Sequence, residues 1–300
     1  MSKRSIRVQV VADSINPQGC RITTFTVVFP RFILAELNTH RMLSRNSASS
    51  RARPFHVMLK DVTDDPFIPI KWMATHKGMQ GTEYLDEEKS RVARDKWIEA
   101  RDAAVASAKA LHDTGVTKQI VNRLLEPFLW HEVIITATDY ENFFALRAHA
   151  DAEIHIAALA EAMLVAYNAS TPKQLAAGEW HIPFGDQMDE TKMADLVSTD
   201  HRSIEFLKRE IASARCARIS YKPFGSEDQY DYVADRKLFE SLVYGGHMSP
   251  LEHCAKAMTE NEWVRYHGGR CGNFRGFVQF RKLFDNENRS DPRVRKVEVK

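Results

Sequence analysis

Two segments near the beginning of the chain are rich in β-branched residues and are predicted to be strands. They span residues 8–11 and 22–29, and Pro30 is expected to end the second one. Residues 131–138 are likewise predicted to form a strand, which is expected to be half-buried. The apolar run 32–37 is helix-like instead. Strands and helices therefore share the first half of the chain.

Helical spacing of apolar residues prevails elsewhere. The longest such segment, 87–112, places small and aromatic side chains on one face, which predicts an amphipathic helix that needs a partner. The other predicted helices are 118–125, ended by Pro127, then a helix from Asn142 to about Tyr167, and helices at 201–214 and 232–243. Because there is no regular βαβ alternation and no glycine fingerprint for dinucleotides, we predict an α+β fold with a mixed or antiparallel sheet packed with long helices.

Two stretches lose this periodicity. Residues 66–81 gain Gly, Pro and Met, which indicates a long surface excursion whose function the sequence does not assign. Residues 185–200 are polar and are predicted to form a flexible loop.

Charge and cysteine usage exclude several classes of protein. The 300 residues include 42 Lys plus Arg and 40 Asp plus Glu, so a net charge of +2 gives no bulk attraction to nucleic acid or to anionic membranes. The sequence contains no run of about eighteen apolar residues, so no transmembrane span is expected. The four cysteines lack CxxC spacing and no signal-peptide pattern opens the chain, which predicts a reduced, cytoplasmic enzyme.

The most distinctive segment is 39–51, which follows the helix-like run. Within thirteen residues it contains three arginines, one histidine, one asparagine and four serines. Guanidinium groups and short hydroxyl donors can converge on phosphate oxygens, so this density favours a site for a dianionic phosphate. The composition alone is equally typical of a solvated basic loop.

Two further patterns in the middle of the chain carry candidate chemistry. Asn142 and Arg147 are five residues apart, so on a helix they lie about 140° apart, with Phe143 and Leu146 able to face the core. The alternative is a surface asparagine beside a snorkelling arginine. Arg123 precedes a proline by four residues, which is also how an ordinary helix ends.

The last third of the chain contributes two motif segments and a glycine-rich segment. Residues 216–221 read Cys-Ala-Arg-Ile-Ser-Tyr, and residues 246–253 read Gly-His-Met-Ser-Pro-Leu-Glu-His. Residues 268–282 combine glycines, arginines and aromatic side chains, which suits the phosphate of a nucleotide, a pyrophosphate or the glutamates of a folate. A β-hairpin that the glycines merely turn is the equal alternative. The side chains to test there are Arg275, Gln279 and Arg281.

Several other chemistries find no support in the spacing. His247 and His253 are six residues apart with no thiolate pair beside them, so no metal site is expected. The sequence lacks the Gly-x-Ser-x-Gly pattern of a serine hydrolase. None of the four cysteines stands in a context that indicates a nucleophile.

The order of residues in 39–51 resembles the signature of the flavin-dependent thymidylate synthases, the thymidylate synthase complementing proteins. In that family Arg-His-Arg is followed at fixed offsets by Ser, Asn, Ser and Arg. The residues at the matching positions here are His40, Arg41, Ser44, Asn46, Ser49 and Arg51. Two positions depart: Thr39 replaces the first Arg, and Ser47 replaces the acidic residue that usually follows the Asn.

The other motifs resemble elements of the same family. Asn142 and Arg147 match an Asn and an Arg at the same spacing, and Arg123 matches an Arg-x-x-x-Pro element. Residues 216–221 and 246–253 look like Ala-Arg-x-Ser-Tyr and His-x-Ser/Thr-Pro-x-Glu-His. The family carries these last two before its signature, whereas here they follow it by about 200 residues, which implies a permuted segment order.

The resemblance implies a single flavin-dependent thymidylate synthase-like domain over residues 1–300. Its elements would lie at 22–56, 117–167 and 213–256, with 268–282 as a Gly/Arg-rich C-terminal element. The implied activity is the methylation of dUMP to dTMP by a homotetramer. FAD is the implied cofactor, NADPH the reductant and methylenetetrahydrofolate the one-carbon donor.

The resemblance also implies a role for each matching residue. Ser49, Arg51 and Arg123 would bind the nucleotide, and Arg147 would polarise the uracil ring, so that Arg147 and Ser49 are the catalytic candidates. The residues expected to bind FAD are His40, Arg41, Ser44, Asn46, Asn142 and His253.

Two alternatives remain open at the level of sequence. The departures at Thr39 and Ser47 would suit a relative that modifies another pyrimidine nucleotide such as dCMP, or one that leaves a hydroxymethyl group on C5. A nucleotide-binding or assembly protein that has kept the pocket and lost turnover is the alternative from another class.

Overall fold

The central sheet is built on the strands that the β-branched segments predict. The computed structural model of the chain describes residues 4–78, 81, 83–197, 203–219, 231–265 and 271–288. The strands of the central sheet are β1 (Arg7–Ile15), β2 (Arg21–Pro30), β3 (Ser44–Ser47), β4 (Trp130–Ala137) and β5 (Lys173–Gln174). Their spatial order is β3-β4-β2-β1-β5, with β5 parallel to β1 and the other pairs antiparallel.

Helices and a second, smaller sheet surround the central sheet. The α-helices of the described residues are α1 (Leu34–Asn38), α2 (Phe55–Asp64), α3 (Glu87–Asp113), α4 (Lys118–Val121), α5 (Glu141–Arg147), α6 (Ile154–Ala169), α7 (Glu190–Val197), α8 (Ile204–Arg218), α9 (Tyr232–Tyr244) and α10 (Glu260–Arg265). The second sheet joins β6 (Trp180–His181), β7 (Ala255–Ala257) and β8 (Phe277–Gln279) in that order. This mixed architecture confirms the predicted α+β class.

The two faces of the central sheet have different partners, because side chains alternate along each strand. One face carries the large apolar residues Phe25, Val27, Phe29, Val133 and Ile135, which form one buried cluster with side chains of α5 and α6 that include Phe143, Ile156, Leu159 and Met163. The opposite face carries Ile134, which packs with Phe184, Cys216 and Ile219 from later in the chain. The C-terminal half therefore covers the face that α5 and α6 leave open.

Several boundaries differ from the predictions for local reasons. The helix predicted from Asn142 to about Tyr167 is interrupted between α5 and α6, where Glu153 caps the start of α6 through the backbone N–H groups of His155 and Ile156. The segment 118–125 is α4 followed by a 3₁₀ helix, Asn122–Phe128, that runs through Pro127.

The structure also differs from the predictions for one polar stretch, for the burial of one strand and for the orientation of one side chain. The predicted flexible loop 185–200 contains a 3₁₀ turn and α7, so that prediction was wrong over its described part. Strand β4, predicted as half-buried, is almost entirely buried because it lies in the interior of the sheet. Leu146 is 54% exposed and does not face the core, whereas Phe143 does.

Parts of some predicted elements lie outside the described residues. These are 79–80 of the excursion, 198–200 of the polar stretch, Ser220 and Tyr221 of the first C-terminal motif, and 268–270 of the glycine-rich segment. Within the described part of the chain, no helix combines the length and the apolar character that a membrane span requires.

Candidate functional site

The signature turn and the helix of the second motif are in direct contact. His40 lies in the turn after α1, and Arg147 is in the last turn of α5. Arg147 Nε donates a hydrogen bond to His40 Nε2 at 2.9 Å, and the His40 ring meets the Phe143 ring edge-on with centroids 5.0 Å apart. Two motifs that are 107 positions apart in sequence therefore form one unit.

The surroundings of His40 keep its ring uncharged. Burial lowers the pKa of His40, and the cations of Arg147 and Arg45 lower it further. Arg45 Nη1 also donates to the His40 carbonyl at 2.7 Å, which holds the turn in place. A neutral ring accepts at Nε2, so His40 orients one edge of the Arg147 guanidinium and leaves the Nη donors available to a ligand.

Two predicted binding residues flank this pair and remain accessible. Arg41 follows His40 in the turn, and Asn142 precedes the buried Phe143 in α5; both are exposed. Neither side chain has a hydrogen-bond partner among the described residues. The surface around His40 and Arg147 therefore offers one free cation and one free amide.

The three predicted phosphate ligands lie on a neighbouring exposed surface. Asn122 Nδ2 donates to the Ser50 carbonyl at 2.7 Å, which fixes the turn containing Ser49 and Arg51 against the segment that carries Arg123. Ser49, Arg51 and Arg123 are all exposed. Within the turn, the Arg51 backbone N–H donates to Ser49 Oγ at 3.3 Å. The turn and the Arg123 segment are thus held together, and all three side chains are exposed donors of the kind that suits an anion.

Strand β3 turns the other two signature residues inward. Ser44 Oγ donates to Glu252 Oε2 at 2.8 Å. Asn46 Nδ2 donates to the Cys216 carbonyl at 2.9 Å, and Asn46 Oδ1 accepts from Ser249 Oγ at 3.2 Å. Both C-terminal motifs are thus attached to the signature by side-chain hydrogen bonds, although they follow it by about 200 positions.

The glycine-rich segment closes over the same contact. Arg281 forms an ion pair with Glu252, and Gln279 Nε2 donates to Asn273 Oδ1 at 2.8 Å. Arg275 remains exposed and pairs with a carboxylate at the end of β4. All three side chains singled out for testing therefore have protein partners, and Arg275 is the exposed one. Strand β8 pairs with β7.

His253 lies in the interior. It ends the 3₁₀ helix Ser249–His253 and is completely buried. His253 Nδ1 is 2.8 Å from Thr136 Oγ1, whereas Nε2 is buried with no hydrogen-bond partner among the described residues. Burial lowers the pKa of His253 to about 3, so the ring is neutral. The ring is therefore a buried neighbour of the candidate site rather than part of its exposed surface.

Several residues that build the site were missed by the sequence reasoning. Glu252 stands inside the Pro-x-Glu-His motif, so its position was visible but its role was not. Asn122 is the neighbour of Arg123, and Thr136 is a hydroxyl residue that follows the apolar run 133–135. His181 contacts the Thr24 hydroxyl. No pattern in the sequence indicates this contact, because His181 reaches the sheet only through the tertiary fold.

Some of the predicted site residues fit an anionic cofactor that contains a ring system, and others are already bonded to the protein. Arg41, Asn142 and the Nη groups of Arg147 are accessible and fit such a group, because they supply a cation for phosphate and amide and guanidinium donors for ring carbonyls. Ser44 and Asn46 are occupied by protein partners and fit only as supports. No arrangement of His, Cys, Asp and Glu in the described residues is suited to hold a metal ion.

Replacing Arg147 with alanine is expected to raise the pKa of His40 toward its ordinary value, because the adjacent cation is lost while burial remains. The titration would be followed by NMR on histidine-labelled protein, with the signal assigned by its absence in His40→Gln. Arg123→Ala is the matched control, since Arg123 is exposed and does not contact His40. An equal pKa of His40 in the two variants would contradict the His40–Arg147 contact.

Comparisons with known proteins identify a family for the chain. Residues 20–173 match the family model described as thymidylate synthase complementing protein. No curated protein matches the chain. Among solved structures, a UMP/dUMP methylase PolB from Streptomyces cacaoi bound with 5-Br UMP is 17% identical over 55% of this chain and 89% of its own, with a TM-score of 0.47. The same protein bound with 5-Br dUMP is 18% identical over 55% of this chain and 90% of its own, with a TM-score of 0.46. Because the family model spans more than half of the sequence, the chain belongs to the thymidylate synthase complementing protein family and is a thymidylate synthase-like methyltransferase.

Proposed function

We propose that this enzyme methylates C5 of dUMP to give dTMP, with FAD as bound cofactor, NADPH as reductant and methylenetetrahydrofolate as one-carbon donor. The observation that carries the proposal is the 2.9 Å hydrogen bond between Arg147 and His40. It joins the two motifs that match the family independently, and each of these motifs contributes residues expected to bind the flavin and residues expected to bind the nucleotide. A chance resemblance of either motif would not require them to meet.

The residues divide into a nucleotide group and a cofactor group. Ser49, Arg51 and Arg123 bind the nucleotide phosphate, and Arg147 holds a uracil carbonyl through its Nη donors. FAD is held by Arg41 and Asn142, with His40 positioning Arg147 between the two ligands. FAD supplies the transfer of reducing equivalents, and the protein binds and orients the reactants.

Ser44, Asn46 and His253 support this site from the inside in our proposal. Each was expected to contact FAD. Their hydrogen bonds run to Glu252, Cys216 and Thr136 instead, so they hold the signature turn and the C-terminal motifs together. A loss of any of them would affect the cofactor through the position of the turn.

The proposed assembly is a homotetramer in which another subunit completes each site. The candidate binding residues lie on an exposed surface of one chain. A nucleotide and a flavin bound there would stay largely solvated unless a second subunit covered them. We further propose that residues 1–300 act as one domain, because β3 bonds directly to both C-terminal motifs.

A cysteine nucleophile has little support in this chain. Burial raises the pKa of Cys254 to about 12 and that of Cys216 well above its usual value, so both stay as thiols. Burial also raises the pKa of Cys20. A thiolate able to add to a pyrimidine ring would need the opposite shift.

A change of pyrimidine substrate is the second candidate function. Thr39 replaces the family's first Arg. Its hydroxyl donates a hydrogen bond to the Glu36 carbonyl at 2.7 Å, within its own turn. The chain therefore supplies one cation fewer at this position. A site of lower positive charge suits an enzyme that modifies dCMP or leaves a hydroxymethyl group on C5.

The purified protein is expected to bind FAD at one equivalent per chain, and dUMP is expected to perturb the flavin absorbance. Fluorescence quenching during FAD titration measures the affinity. Asn142→Ala should weaken binding, whereas Asn168→Ala should not, because Asn168 is an equally exposed asparagine on α6. Absence of saturable FAD binding in the wild-type protein would end the proposal.

Arg147→Ala should lower kcat by about 10²-fold or more, because its guanidinium stabilises negative charge that builds on the ring as C5 attacks. Arg51→Ala should chiefly raise KM, because a phosphate contact is similar in the ground and transition states. Tritium release from 5-tritiated dUMP gives kcat and KM, and the mass of the product identifies the group added to C5. Processing of dCMP instead of dUMP, or a hydroxymethyl product, would establish the second candidate function.

Simultaneous replacement of Cys20, Cys216, Cys254 and Cys271 by alanine or serine is expected to leave measurable turnover, since no protein thiolate takes part. The buried positions will cost some stability, so folding and FAD content are measured on the same sample. A folded, FAD-loaded variant without any turnover would indicate a thiol mechanism.

A further inference from the structure

Five buried polar groups form an unbroken line across the central sheet. Ser14 Oγ is 2.9 Å from His181 Nδ1, and His181 Nε2 is 2.8 Å from Thr24 Oγ1. Thr24 Oγ1 is 2.7 Å from Thr136 Oγ1, which is 2.8 Å from His253 Nδ1. We call this line the buried relay. All five residues are at most 4% exposed, so water does not compete for these contacts.

The sheet register explains why the line is continuous. Thr24 and Thr136 are direct cross-strand partners on β2 and β4, so their side chains share one face. His181 reaches this face from β6, and His253 reaches it from the 3₁₀ helix before β7. One histidine ring thus covers each threonine hydroxyl. Neither His181 nor His253 is adjacent in sequence to β2 or β4.

Hydrogen-bond directions along the relay are coupled. A hydroxyl has one proton to donate, so Thr24 and Thr136 must both point their protons the same way along the line. If they point toward His181, His253 carries its proton on Nδ1 and has a lone pair on Nε2. If they point toward His253, its proton is on Nε2. The state of one ring therefore determines that of the other.

The unpartnered atom favours the first arrangement. His253 Nε2 is buried without a partner among the described residues. A buried N–H donor without an acceptor is rarer and more costly than a buried acceptor without a donor. Burial also lowers the pKa of both His181 and His253 to about 3, so neither ring resolves the choice by taking a second proton.

We propose that the buried relay holds His253 with its proton on Nδ1 and its Nε2 lone pair free, and that it passes a proton received at Nε2 on to Ser14. The Nδ1 proton moves to Thr136, the Thr136 proton to Thr24, and the Thr24 proton to His181 Nε2. His181 then gives its Nδ1 proton to Ser14, whose own proton leaves to water. One proton enters, one leaves, and no ring becomes charged.

The use of this proton rests on the proposed function. When carbon replaces hydrogen at C5 of the pyrimidine, the C–H bond breaks, its electron pair returns to the ring and a proton must be accepted. The lone pair of His253 accepts it through a water molecule that enters with the ligands, because the ring itself is completely buried. His181, Thr24 and Thr136 are positioning residues in this scheme, because they act only through His253.

The tautomer of His253 can be measured independently of turnover. Solid-state NMR of protein labelled with ¹⁵N-histidine distinguishes a protonated from an unprotonated ring nitrogen, and His253→Gln identifies the signals. The wild type should show the proton on Nδ1. Thr24→Val should move it to Nε2, because the Thr136 hydroxyl then keeps only His253 as an acceptor in the line.

Matched variants separate this effect from a general disturbance. Thr26→Val is the control, because Thr26 is buried on the same face of β2, two residues further on, and lies outside the relay. Thr24→Ser keeps a hydroxyl and should restore the wild-type tautomer. If Thr24→Val does not fold, His181→Phe breaks the next link and should give the same shift. A proton on Nε2 in the wild type, or an unchanged tautomer in the folded variants, would overturn the proposal.

Turnover tests the second half of the proposal. Tritium release from 5-tritiated dUMP should fall about tenfold or more in Thr24→Val with KM for dUMP unchanged, and it should recover in Thr24→Ser. Wild-type kcat in Thr24→Val, despite a shifted tautomer, would overturn the proton exit through Ser14. If the wild type releases no tritium at all, the proposed function fails, while the NMR result still decides the arrangement of the relay.

Discussion

The fold depends on the need to satisfy two hydroxyl groups on a buried face of the sheet. Thr24 and Thr136 lie side by side on β2 and β4 and are fully buried. A buried hydroxyl without a partner costs about 1–3 kcal/mol. His181 and His253 supply the outer partners, so the C-terminal half can dock only where its two rings reach this line. Apolar contacts alone would allow it to slide.

The signature turn connects this interior to the candidate ligand surface. Its inward residues, Ser44 and Asn46, bond to the C-terminal motifs, while Arg41 and Arg51 remain exposed. The alternation of side chains along β3, together with the turns around it, therefore points the supporting side chains inward and leaves the proposed binding side chains exposed. Charged and neutral side chains are separated in a similar way. Arg41 and Arg51 stay in solvent, where they cost little desolvation. Arg45 is partly buried and donates to the carbonyls of Leu37 and His40, and His40 is buried because it can remain neutral.

Local patterns in the sequence predicted the strands and the long helices but not the partners of individual side chains. Strand β2 was predictable because it is rich in β-branched residues, and helix α3 because its apolar residues follow helical spacing. The resemblance to the family singled out His40 and Arg147, and their contact needed the tertiary fold. Strand β3 was missed because Ser-Arg-Asn-Ser has no apolar alternation and pairs with β4 through tertiary packing alone.

The permuted order that the resemblance implies is compatible with how the contacts are made. Ser44 reaches Glu252 over 208 positions, and Thr136 reaches His253 over 117. Both contacts are between side chains, so they depend on where a segment docks and not on when the chain delivers it. A chain that closes these hydrogen bonds can carry the Pro-x-Glu-His segment before or after the signature. The added cost is the entropy of a longer loop, which grows only slowly with length.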